Sequence, residues 1–77
     1  MSADKLQAIF AENLNLPLEA ISDDLRYNDA PQWDSIAHMS LIAAIEQAYD
    51  ILIETDDIID MSSFAKARII VAKYVDA

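Results

Sequence analysis

The side chains with chemistry to offer are concentrated in one stretch, Trp33-Asp34-Ser35-Ile36-Ala37-His38-Met39. Asp34 stands where the N-cap of a helix belongs, with a carboxylate able to accept backbone N–H bonds from the first turn. Ser35 then takes the first helical position, its hydroxyl near the positive end of the helix dipole. An anionic group attached at such an exposed position is favoured by about 0.3–1 kcal/mol. A phosphodiester on Ser35 is therefore physically reasonable; the plain alternative is a helix-start serine that carries nothing. His38, the only histidine, falls on the core-side arc of the same helix. It is expected as a partly buried ring bonded to a loop carbonyl. Trp33 is expected as a hydrophobic lid on the preceding loop, its N–H bonded to loop backbone or water. One histidine and scattered carboxylates offer no convergent nucleophile–base pair, so no catalytic residue is assigned.

What the chain lacks narrows the chemistry further. It has no cysteine and no glycine. The first absence removes disulfides, thiolate metal ligands and a thiol nucleophile from the polypeptide. The second removes the P-loop, the dinucleotide fingerprint, the nucleophile elbow and the EF-hand loop. Asp23-Asp24 and Asp56-Asp57 are acidic pairs without a cage, and no metal site is assigned. Fourteen acids against five bases give a net charge of −9 and a pI near 4.1. A surface of that sign repels nucleic-acid phosphates and anionic lipid, so neither partner is expected. Met1 to Phe10 has no continuous apolar run, and nothing reaches membrane-spanning length. The expectation is an acidic cytoplasmic protein, monomeric, with all 77 residues in a single domain.

The elements that must position Ser35 follow from helical periodicity. Leu6, Ile9, Phe10 and Leu14 form the stripe of a first helix that Ser2 or Asp4 can cap, and Pro17 ends it. A long connection runs from Asn15 to Asp34, with Leu16, Leu18, Ile21 and Leu25 as expected core anchors and a short helical turn at Leu18–Ile21. The second helix runs from Asp34-Ser35 to about Tyr49. A short third helix spans Thr55–Asp60. Ser62 or Ser63 caps a fourth, with Phe64, Ala67, Ile70, Val71, Tyr74 and Val75 on its inner side. Ile51-Leu52-Ile53 is too brief to seed a sheet. The expected fold is all-α: a bundle of three main helices plus one short helix, with a long ordered loop between helices one and two.

Helix two carries two apolar stripes. Leu41, Ile42, Ile45, Ala48 and Tyr49 share the face that must be core. Ile36, Met39 and Ala43 share a nearly opposite face, edged by Ser40, Glu46 and Gln47. So short a chain can hardly cover both, which points to docking on the outer stripe. Ile58 and Ile59 cannot both be buried, and Ile58 is taken as the extension of that surface. Between Arg26 and Lys66 there is no Lys or Arg, while Asp29, Asp34, Glu46, Asp50, Glu54, Asp56, Asp57 and Asp60 all fall there. A one-sign surface of this kind serves solubility or steers basic partners.

Asp34-Ser35-Ile36 at a helix start, the run Ile45-Glu46-Gln47-Ala48-Tyr49-Asp50-Ile51, the acidic cluster before a short helix and the closing amphipathic helix together resemble the acyl carrier proteins. The likeness covers essentially the whole chain. The family hallmark is Asp-Ser-Leu, and here Ile36 replaces the leucine. The resemblance implies 4'-phosphopantetheine, taken from coenzyme A by a phosphopantetheinyl transferase and attached to Ser35, carrying acyl intermediates as thioesters. It also accounts for the missing cysteine, because the reactive thiol belongs to the prosthetic group. Asp34, Ile36, Met39, Ala43, Glu46 and Ile58 become the expected partner-binding residues. The partners implied are acyl-activating, acyltransferase or ketosynthase-type enzymes with basic patches.

Within the family, carriers of bacterial fatty-acid synthesis place several acids along helix two. This chain has Ala37, Ser40, Gln47 and Ala48 instead. Trp33 before the Asp-Ser pair and His38-Met39 after it look more like stand-alone carriers of specialised pathways, in secondary-metabolite or polysaccharide biosynthesis. His38 then has a second possible place, at the entrance to an acyl pocket or against the phosphopantetheine arm. Fatty-acid-type biosynthesis stays open beside these pathways, and the alternatives are an aminoacyl or peptidyl carrier for a dedicated synthetase, and an unmodified acidic helical interaction module.

Overall fold

Leu6, Phe10 and Leu14 recur at the four-residue spacing that stacks side chains on one helix face, and all three are buried in α1, Ala3–Leu14. The computed structural model describes the backbone of residues 3–75 and the side chains of residues 5–75. Ser2 therefore lies outside the described residues, and Asp4 lies within α1 rather than capping it. Ile9 is half-buried at the edge of the stripe.

A chain without glycine must end its helices by other means. Asn15, with φ of 56°, adopts the left-handed conformation after α1, and Leu16 N donates to Ala11 O at 3.0 Å. Asp50 repeats the arrangement after α2 (Ser35–Tyr49), with φ of 56° and Ile51 N donating to Glu46 O at 3.1 Å. Asn and Asp tolerate this conformation better than other residues with a Cβ, and each hydrogen bond satisfies an orphan carbonyl at the helix end.

The long loop is ordered by specific ties. A single 3-10 turn occupies Leu18–Ala20. The Gln7 side-chain amide donates to Leu18 O and Ile21 O, fixing that turn to α1. Farther along, Tyr27 N donates to Ser62 O and Phe64 N to Leu25 O, both at 2.9 Å, so the loop is pinned to the start of α4, Phe64–Val75. Ser63, the second of the two candidates, caps that helix: its hydroxyl accepts from Lys66 N. α3, Thr55–Asp60, lies between, and the Ile51-Leu52-Ile53 run is irregular chain. The only β feature among the described residues is an isolated bridge between Arg26 and Ser63.

The core draws on α1, α2 and α4 and on Ile21, Trp33, Ile53 and Met61 from the connecting segments. Phe10 is its hub, edge-on to Trp33 at 5.4 Å and to Phe64 at 5.0 Å between ring centres, the geometry that aromatic quadrupoles favour. Leu41, Ile42 and Ile45 fill the α2 side. Three expected core positions are exposed. Leu18 is 51% exposed because the 3-10 turn is held through its backbone. Ala48 and Val75 face solvent at the ends of their helices, where the apolar stripes drift off the core. Tyr74 is half-buried against the core, as expected, and turns its hydroxyl to α3. No described helix is long and apolar enough to cross a membrane.

Candidate functional site

The site begins where the loop becomes α2. Asp34 is extended, and its Oδ1 accepts from Ala37 N at 2.9 Å, the expected cap. Its backbone carbonyl accepts from His38 N at 2.8 Å. Ser35 is thereby held as the first helical residue, with its side chain exposed. The N–H groups of Ser35 and Ile36 open the helix and have no intrahelical acceptor.

Ser35 stands on the wall of a groove of about 320 Å³ between α2 and α3. Its floor and sides are mostly apolar: Met39 from α2, Ile58 and Ile59 from α3, and Met61 just beyond. Tyr27, Ser62 and His38 supply a polar edge. The structure thus brings Ser35, His38, Met39 and Ile58 together. Ile59, the other of the two α3 isoleucines weighed in the sequence, joins them, and so do Tyr27, Met61 and Ser62, for which the sequence carries no groove signal. Tyr27 and Ser62 sit in irregular segments that have no periodicity to read, and reach the groove through their backbone pairing.

The imidazole of His38 is fully engaged. Its Nδ1 accepts from the Trp33 indole N–H at 2.9 Å, and its Nε2 lies 2.9 Å from the Ile58 carbonyl oxygen. A carbonyl only accepts, so Nε2 carries the proton and donates. Trp33 packs wholly buried at the end of the loop, but its N–H goes to His38 instead of loop backbone or water. For His38 the carbonyl bond stands, to α3 instead of a loop, and the ring also lines the groove.

The outer face of α2 is open. Ile36 is 80% and Met39 58% exposed, with Ala43 exposed farther along. Of the α3 isoleucines, Ile59 is the exposed one at 75%; Ile58 is half-buried against the core, contrary to expectation. Ile58 packs its side chain against the core while its carbonyl oxygen meets His38 Nε2. Glu46 is not a free rim charge either. It is half-buried, and its Oε2 accepts from Ile53 N at 2.9 Å, closing the loop after α2.

α3 itself contributes no fully buried residue. Polar ties hold its first turn to α4: Lys73 Nζ donates to both Asp57 oxygens at 2.8 and 2.9 Å, the Tyr74 hydroxyl donates to Asp57 Oδ2, and Glu54 N donates to Tyr74 Oη. The Lys73 bond above all, and the Tyr74 bond after it, hold the Asp57 carboxyl below its ordinary pKa. Lys73 and Tyr74 are correspondingly pushed up by Asp57. Lys66 pairs with Asp60 in the acidic stretch, and Arg68 with Asp23 ahead of it.

A family model described as "Phosphopantetheine attachment site" matches residues 4–66. Among solved structures, the chain is similar to the holo acyl carrier protein of Geobacter metallireducens, determined by solution NMR. The TM-score is 0.84 at 24% sequence identity, over 96% of this chain and 85% of that one. At that identity the likeness is one of fold. A search of the curated proteins returns no match to this chain.

Proposed function

The chain belongs to the phosphopantetheine attachment-site family, a family of carriers rather than enzymes whose prosthetic group is phosphopantetheine, and we propose that it bears that group on Ser35 Oγ and carries acyl cargo. The observation that carries the proposal is the position of Ser35. It is exposed, directly follows the capped Asp34, opens a 15-residue helix and stands on the wall of an apolar groove. Each feature fits the group. The unpaired first-turn N–H groups and the helix dipole favour a phosphodiester, and the groove beside Ser35 offers apolar surface. When bound, the group supplies a terminal thiol that holds an acyl chain as a thioester.

The chain's own residues then have separate tasks. Asp34 fixes the backbone that presents Ser35, using its carboxylate on Ala37 N–H. Met39, Ile58, Ile59 and Met61 offer alkyl surface that excludes water from whatever rests there. Ile36 and Met39, with Ala43 beyond them, form the face that a phosphopantetheinyl transferase and later acyl-handling enzymes would meet. Ile59 replaces Ile58 on that face. Ala37, Ser40, Gln47 and Ala48 leave it light in charge, which disfavours partners that read acidic helices through basic patches. Dedicated acyl-activating or acyltransferase partners of a specialised pathway are the better fit, with the whole chain acting as one carrier domain in the cytoplasm.

Intact mass before and after incubation with coenzyme A and a phosphopantetheinyl transferase tests the assignment. Wild-type protein gains one phosphopantetheine; Ser35→Ala gains none while its helical circular dichroism is unchanged. A modified Ser35→Ala protein refutes it. In the same assay Met39→Ala slows uptake at low and at physiological salt, as loss of a contact anchor does. Unchanged rates would remove the α2 face from the docking surface.

A further inference from the structure

Among the described residues, His38 is the one side chain hydrogen-bonded both to Trp33, the buried residue of the loop before Ser35, and to the helix across the groove. Two bonds fix it from opposite sides. The Trp33 indole is a donor only, so at 2.9 Å it requires a bare lone pair on Nδ1. The two ring planes differ by 24°, close to the parallel arrangement in which that N–H lies along an in-plane lone pair. With Nδ1 committed as acceptor, the neutral ring has its proton on Nε2, and Nε2 faces the Ile58 carbonyl at 2.9 Å. That carbonyl is among the last four of a six-residue helix, which have no intrahelical partner. Its other contact, from Met61 N, is long at 3.4 Å. Tyr27 packs edge-on against both rings, 6.0 Å from Trp33 and 5.5 Å from His38 between centres. Trp33 is immobilised in turn by complete burial against Phe10.

We infer that His38 is a positioning residue for the Ser35 groove: the buried Trp33 selects its Nε2–H tautomer, and that N–H latches α3 to α2. α3 has no fully buried residue of its own. Asp57 ties its first turn to α4, the exposed Lys66–Asp60 pair ties its last residue to α4, and His38 supplies its hydrogen bond to α2. The His38 tie is the one on the groove. It sets how far Ile58 and Ile59 stand from Met39, and so what the groove admits. The consequence for cargo rests on Ser35 being the attachment residue; the latch itself does not.

The test compares the full-length wild type with His38→Leu, which removes both bonds, and His38→Gln, whose side-chain amide offers one acceptor and one donor. In the wild type, long-range proton–nitrogen NMR of the ring shows the Nε2–H tautomer. In His38→Leu, amide exchange within α3 quickens by about tenfold or more while α1 amides keep their rates, as release of a local unit requires. His38→Gln brings α3 protection back toward the wild-type level. An Nδ1–H tautomer in the wild type overturns the proposal, and this reading stands even if His38→Leu does not fold. Unchanged α3 exchange in a folded His38→Leu also overturns it, as does uniform quickening in all helices. Mass gain at Ser35, measured on the same wild-type sample, reports separately: its absence alongside the expected tautomer and exchange sinks the carrier assignment and leaves the latch standing.

Discussion

Asp34 acts through geometry before it acts through charge. Its carboxylate replaces the intrahelical acceptor that Ala37 N lacks, and an N-cap of this type is worth about 1 kcal/mol. Asp34→Asn retains an oxygen at the same place and leaves the melting temperature close to wild type. Asp34→Ala lowers it by roughly 4–8 °C, the shift that 1 kcal/mol produces in a domain of this size. Equal melting temperatures for the two variants would show that the cap contributes nothing. Glu46 illustrates the opposite case, a charge that reads as rim from the sequence but serves as an acceptor for Ile53 N. A charge reversal there would loosen the loop after α2 as well as alter association, so it cannot report on docking alone.

At the scale of the element, α3 is the exception in a molecule otherwise held by apolar burial. Its acids are drawn to α4 by Lys73 and Tyr74, and the pKa directions give that attachment a pH signature. Asp57 is depressed in the folded state, so its contribution is present above the unfolded carboxylate value of about 4 and is lost as pH falls through the lower folded value. Lys73 and Tyr74 are raised. Their contributions are complete below the unfolded values of about 10 and are lost as pH rises through the higher folded ones. Stability should therefore fall off at both acid and alkaline pH, and Asp57→Asn should flatten part of each limb. An Asp57→Asn profile parallel to wild type from acid to alkaline pH would mean that these bonds do not form in solution.

At the scale of the whole molecule, electrostatics oppose the fold. Three ion pairs join α4 to acids, two of them in the acidic stretch and the third at Asp23, but most acids among the described residues have no cation paired with them. Exposed pairs contribute about 0–1 kcal/mol each and are themselves screened by salt. Repulsion at a net charge of −9 is spread over the entire surface and is relieved by the same screening. Repulsion is the larger effect here, so the melting temperature should climb between about 0.01 M and 0.15 M salt, where the Debye length shortens from about 30 to 8 Å. A melting temperature that falls over that range would mean that the pairs outweigh the repulsion.

Periodicity in the sequence determines four helices, their order and most of the core, because a stripe at helical spacing has only one face to bury. Asp34-Ser35 could be placed at the start of α2 for a similar reason: capping is local, settled within four residues. The groove was not legible. Its walls come from positions as far apart as Tyr27 and Ser62, joined by backbone bonds between irregular segments that follow no period. Nor could the sequence decide between Ile58 and Ile59, since adjacent residues on a six-residue helix differ only in which way the helix rolls. Packing set the roll, with the His38–Ile58 bond on one side and the Asp57 ties on the other. The partners of Trp33, His38 and Glu46 likewise depended on which polar atoms met at the end of folding. A side chain's type fixes what it can donate or accept; only the closed core decides what stands within 3 Å of it.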